Sequence, residues 1–147
     1  MDGQWEEIEL AVDSGATESV CPLSELSTVP TVEGSASRRG VKYEVASGHQ
    51  VPNEGEKRFV AMTEEGAEKG LTLQVCDVTQ GLLSVSKMMK AGNRVIFDEE
   101  GSYIQNKATG DRTWMTERSG MHVLKLWVRN PKAGWTRSVG EGPNAPF

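Results

Sequence analysis

The chain has 147 residues, 37% of them hydrophobic and 25% charged, with a formal net charge of -5. That length suits one domain that buries a core without disulfides or a structural metal, and the acidic balance argues against direct nucleic-acid binding, which rests on clustered Lys and Arg; Arg38-Arg39 alone is too small a patch. No window approaches the roughly 18 apolar residues of a membrane span, and the acidic start MDGQWEEIE is unlike a secretory leader, so a soluble, intracellular, cytoplasmic protein is expected.

The first predicted element is a strand over WEEIELAV, residues 5–12, which ends in three consecutive apolar positions. DSGA is turn chemistry, and SVCPLSEL leaves it as a short apolar segment. STVPTVEGSASRRG, rich in Ser, Thr and Gly, reads mostly as a mobile loop. Residues 41–62 then read as two extended arms around Ser-Gly-His-Gln, with Val41, Tyr43 and Val45 alternating and Pro52 and Gly55 making the return irregular. TEEGAEKG is a solvated turn. LTLQVCDV, with Leu71, Leu73 and Val75 in period two, is the clearest strand.

In GLLSVSKMMKAG, the residues Leu82, Leu83, Val85, Met88 and Met89 recur at helical spacing before Gly92, a C-terminal stop, and both methionines are expected in the core. NRVIFDEEGSYIQN predicts a hairpin, and DRTWMTERSGMHVLKLWV predicts another that turns at Ser119-Gly120. The Gly- and Pro-rich stretch from residue 129 is expected to be a docked or disordered tail. Seven or eight short strands and one helix make a mainly β domain, closed or sandwiched, over residues 1–130 with a β extension from about residue 93 and a tail over 131–147.

Few chemistries survive inspection. Cys21 and Cys76 are two cysteines without metal-ligand spacing and read as reduced, buried small hydrophobes. His49 falls at a hairpin tip and His122 in a strand, with no third ligand at metal spacing, so no metal and no cofactor are expected. GxSxG, HExxH, P-loop and GxGxxG motifs are absent. There remains Asp13, set at the end of the apolar Ala11-Val12 pair and just before Ser14-Gly15-Ala16. A carboxylate beside a strand core is costly to desolvate unless hydrogen bonds or a partner compensate it. The plainest reading is a turn whose Asp accepts backbone N–H bonds.

AVDSGATESV resembles the active-site strand and loop of retroviral-type aspartic proteases: two apolar residues, Asp, Ser or Thr, Gly, Ala. ASGHQVPNEGEKRF resembles their flap hairpin, and VCDVTQGLLSVSKMMKAGNRVIFDEEGSYIQ is similar to the later half of the copia-type retrotransposon version. The resemblance spans residues 5 to about 127. The chain departs from the retroviral pattern in carrying Leu82-Leu83 before Ser84, as the copia type does, and in running on past the helix into a segment similar to the one that leads toward integrase.

The resemblance implies a retropepsin-like closed β-barrel or sandwich with a flap hairpin, and an aspartic endopeptidase that processes a polyprotein. That chemistry uses two carboxylates, one as general base toward a water and one as general acid toward the scissile carbonyl, and two carboxylates about 3 Å apart share one proton. One Asp-Ser-Gly per chain therefore implies a homodimer with Asp13 from each subunit at the axis. In this scheme Ser14 and Gly15 brace the loop and Leu82 and Leu83 pack beneath it. Ala16, Thr17 and Glu18 would face an extended peptide substrate, with Ser47, Gly48 and His49 closing over it. Two alternatives stand beside the enzyme: a domesticated, inactive module for dimerisation or peptide binding, and an unrelated β domain with a chance Asp turn.

Overall fold

The computed structural model describes residues 5–129 and 145–147. Its organising strand is β1 (Trp5–Asp13), in which Ile8, Leu10, Ala11 and Val12 are buried. One edge of β1 meets β11 (Met121–Arg129) antiparallel, from Trp5 opposite Arg129 to Ala11 opposite Val123. Its other edge, at the C-terminal end only, meets β7 (Leu82–Ser84) parallel, with Asp13 opposite Ser84.

From β7 the pairing passes to β2 (Val20–Cys21), then to β6 (Glu68–Val75) and β5 (Gly55–Met62). Met62 and Ala61 of β5 then pair with Trp127 and Val128 of β11, so the ladder returns to the strand that flanks β1. The sheet closes on itself around Leu10, Leu73, Leu83, Leu124 and Leu126, all almost wholly buried. Closure leaves fewer unpaired strand edges in contact with water. The protein is thus mainly β with one large sheet, as expected.

Beyond the ring, β11 continues into β10 (Arg112–Arg118), β9 (Ser102–Asn106) and β8 (Asn93–Ile96), an antiparallel series joined by tight turns at 97–101 and 119–120. Both hairpins expected there are present. β11, the last strand of the segment from residue 93, pairs with both β1 and β5 and so is one strand of the closed sheet. No described helix is long and apolar enough to cross a membrane.

Several expectations need correction. Leu82–Ser84 is a strand, and the helix α2 spans only Val85–Lys90; Ser84 ends the apolar strand and caps the helix by accepting the Lys87 N–H at 3.2 Å. Capping by a Ser hydroxyl satisfies a donor that the first turn leaves orphaned. Met88 lies in the core, but Met89 is exposed. The stretch 27–40 is not loose: it holds a second short helix, α1 (Ser35–Arg38), buries Val29, and bridges Val32 to Glu56.

The preceding turn is held from outside. Lys57 on β5 is 2% exposed, and its Nζ donates to the carbonyls of Glu25 (2.7 Å), Leu26 (2.8 Å) and Leu23 (3.4 Å). Leu26 sits in the left-handed region at φ 52°, a conformation uncommon for a non-glycine residue.

The predicted 41–62 hairpin is divided between two sheets. β3 (Lys42–Glu44) and β4 (Gln50–Pro52) form a separate two-stranded ribbon, and the chain then breaks at Asn53-Glu54 before β5 enters the large sheet. Pro52 lacks the N–H that would continue a ladder, and Gly55 takes φ 129° against the Val32 carbonyl, where a side chain would clash. Of the tail, residues 130–144 lie outside the described residues, while Ala145–Pro146 forms β12, parallel to β6.

Candidate functional site

The site starts from the parallel β1–β7 pair. At its open end the chain turns at Asp13, and the Gly15 N–H donates to Asp13 Oδ1 at 2.7 Å. Gly15 is not in a left-handed turn, but it lies close to the carboxylate: a Cβ there would be 3.3 Å from that same oxygen, a tight contact. The bond is the one expected of an ordinary Asp turn, so the character of the site rests on what surrounds it.

Ser84, wholly buried, joins the Asp loop to the sheet beneath. Its Oγ–H donates to the Ala16 carbonyl at 2.7 Å, and its N–H donates to Ser19 Oγ at 3.0 Å. The middle and the far end of the loop 14–19 are therefore fixed to the start of α2. Lys87, one turn into that helix, adds an ion pair to Glu18 at 3.1 Å. Leu83 packs in the core opposite Val12, and Leu82 pairs with Ala11 and reaches the surface beside Asp13.

Above this loop lies a cleft of about 690 Å³. Its floor holds Asp13, Gly15, Ala16, Thr17, Glu18 and Leu82; one wall is the β3–β4 ribbon from Tyr43 to Ser47, and the other is the Cys76–Gln80 connection. A volume of several hundred cubic ångströms is the usual scale of a ligand site. The ribbon is not free to drift from the barrel. Asn53, 8% exposed, donates from Nδ2 to Tyr43 Oη at 2.8 Å and to Gln74 Oε1 at 2.7 Å, and accepts the Gly55 N–H at 2.8 Å.

The Asp, Glu, Lys and Arg side chains that line it are Asp13, Glu18, Glu44 and Asp77, all of them acidic. Burial raises the Tyr43 phenol above its ordinary value, with the Asn53 hydrogen bond acting against it. Burial also pushes the Cys76 thiol, in the opposite wall, up to about 11 and the Cys21 thiol to about 11. The two are free, buried and close in space, since the Cys76 N–H donates to the Cys21 carbonyl at 3.2 Å. Neither is a thiolate at neutral pH.

Of the residues singled out from the sequence, Asp13, Gly15, Ala16, Thr17, Glu18, Ser47 and Leu82 meet around this one cleft. Ser14 does not line it. It faces a second, shallower hollow of about 440 Å³ on the other side of Asp13, beside Phe97, Met121 and His122. Phe97 and Met121 are 44% and 46% exposed, and the Phe97 and His122 rings lie 4.8 Å apart. Gly48 and His49 are exposed at the ribbon tip, outside the cleft lining. Among the described residues no cluster of three His, Cys, Asp or Glu side chains could hold a metal.

Sequence reasoning missed three residues that build the site: Ser84, Asn53 and Tyr43. Ser84 carried a signal, a Ser just ahead of a helical apolar pattern, the position of an N-cap. Asn53 carried none, because its partners lie ten and twenty-one positions away. No protein-family model, no curated protein and no solved structure matches this chain.

Proposed function

We propose that the chain is a retropepsin-like aspartic endopeptidase of the copia retrotransposon type, active as a homodimer in which Asp13 of each copy faces the other. The observation that carries this reading is the braced Asp13-Ser14-Gly15 loop, held by Ser84 at the floor of a cleft with the β3–β4 ribbon as its wall.

In this mechanism one Asp13 carboxylate takes a proton from water while its protonated twin donates one to the scissile carbonyl oxygen. The two then exchange roles as the tetrahedral intermediate collapses. An extended peptide lies across Ala16, Thr17 and Glu18 and beneath the ribbon residues up to Ser47. The exposed apolar pair Phe97 and Met121, next to Ser14, supports contact with the second copy on that side of Asp13. Cleavage of a polyprotein precursor is the natural use of such an activity.

The test is cleavage of a peptide library near pH 5 over a range of protein concentration, with Asp13→Asn alongside. Specific activity should rise with concentration, and the variant should lose about a thousandfold or more while keeping its fold and its sedimentation behaviour. Activity should also decline toward alkaline pH, since the shared proton is required. Undiminished cleavage by Asp13→Asn would remove the mechanism.

A further inference from the structure

We propose that the edge of β6 beside Asn93 is a docking groove for an extended strand from another protein, and that the chain's own Ala145–Pro146–Phe147 is a displaceable occupant of it.

β12 runs parallel to β6 with Ala145 opposite Lys69 and Pro146 opposite Gly70, and the Phe147 N–H donates to the Gly70 carbonyl at 3.0 Å. Phe147 packs against the core, and Lys69 Nζ lies 5.6 Å from its ring centroid. With Phe147 bonded to β6, the backbone groups of residue 146 face the opposite way. There they meet Asn93, the first residue of β8 and wholly buried. Asn93 Nδ2 donates to the Pro146 carbonyl at 3.0 Å and to the Met88 carbonyl at 3.0 Å, whereas its buried Oδ1 has no hydrogen-bond partner among the described residues.

The unpaired oxygen has a simple origin. In an extended strand the N–H and C=O of one residue point to the same side, so a partner opposite that residue exchanges both bonds with it. A carboxamide carries one donor end and one acceptor end and suits such a pair. Proline has no N–H. The groove therefore offers an acceptor that Pro146 cannot use, and an unsatisfied buried acceptor weakens whatever docks there. Any non-proline residue at this position would supply the missing donor. The expected ligand is a short extended segment with a non-proline residue followed by an aromatic one, held by strand addition to β6. A second copy of this chain is a poorer candidate, since it carries the same proline.

The experiment uses the full chain and dye-labelled, end-blocked peptides read by fluorescence anisotropy. One peptide is Gly-Asn-Ala-Ala-Phe, a second has proline as its fourth residue, and a third has N-methylalanine there, which removes the N–H without altering the protein. The alanine peptide should bind about tenfold more tightly than either twin. In the full-length Pro146→Ala variant the amide of residue 146 should be protected from hydrogen exchange, and affinity for the added peptide should drop because the tail now competes better. Equal binding of the alanine and N-methylalanine peptides would overturn the proposal, as would failure of all three to bind together with an unprotected amide in Pro146→Ala. Neither result bears on peptide cleavage at Asp13.

Discussion

Residues 14–54 and residues 93–129 are of similar length and both contribute to the surface near Asp13, yet they are held by different means. The later region is a series of hairpins whose backbones pair with their sequence neighbours and whose alternate side chains, such as Ile104, Met115 and Val123, point inward. The earlier region contains only a two-residue strand, a four-residue helix and an isolated ribbon. Its shape depends on single side-chain contacts with distant strands: Lys57 reaches in to the turn at 23–26 and Ser84 to the Asp loop, while Asn53, within the region, reaches out to Gln74 and binds the ribbon to β6. A hairpin is a local bargain between neighbours, whereas a clamped loop depends on single atoms elsewhere. The first should tolerate substitution and the second should not.

The sharpest way to break this comparison is Lys57→Met, which keeps the apolar stem and removes the ammonium from three carbonyls, one of them on the left-handed Leu26. A loss of about 3 kcal/mol is expected in denaturant unfolding. A value near zero would show that the turn holds without its clamp. Ser84→Ala comes next, at about 1–2 kcal/mol, since it removes a helix cap and the bond to the Ala16 carbonyl together. On the proposed function it also lowers peptide cleavage beyond what the lost stability explains, because the Asp loop loses its brace.

Alkaline pH tests the same region. Cys21 and Cys76 join the clamped region to the barrel, and burial raises both thiols from 9.0 to about 11. Between those values the folded state keeps protons that the unfolded chain has released, so this contribution is complete below pH 9 and is lost as pH rises toward 11. Lys69 works in the opposite sense just below its ordinary 10.5, because burial lowers it. Thermal melts of wild type and Cys21→Ala/Cys76→Ala from pH 8 to 11 should show a steeper fall for wild type. The smallest effect belongs to the hairpins: Thr116→Val, exposed on β10 opposite Val123, should stay within about 0.5 kcal/mol.

The same contrast explains what could be read from the sequence. Period-two runs such as Leu71, Leu73 and Val75, and turn residues such as Ser119-Gly120, announce strands and hairpins because the information is local. Asp13 and its loop were legible through the turn chemistry that follows an apolar strand. The division at Leu82–Ser84 was not, since three apolar-rich strand residues running into a capped helix show the same spacing as a longer helix. The order within 27–40 was hidden for a related reason: its polar composition says loop, while the restraint comes from Glu56, which bridges to Val32.

The closure of the sheet by β11 also sets a folding order. β1 pairs with the far end of the described chain, Trp5 with Arg129, so the strand that carries Asp13 cannot acquire its principal partner until Met121–Arg129 has been made. Contacts this distant in sequence carry a large loop-closure entropy and slow the search for the native state. During synthesis β1 must wait with one edge bare, and a chain stopped before Met121 would leave both β1 and the Ala61–Met62 end of β5 open to pairing with other molecules. A chain that ends before the last hairpin therefore presents two open strand edges, one of them on the strand that carries Asp13, and is expected to be prone to aggregate.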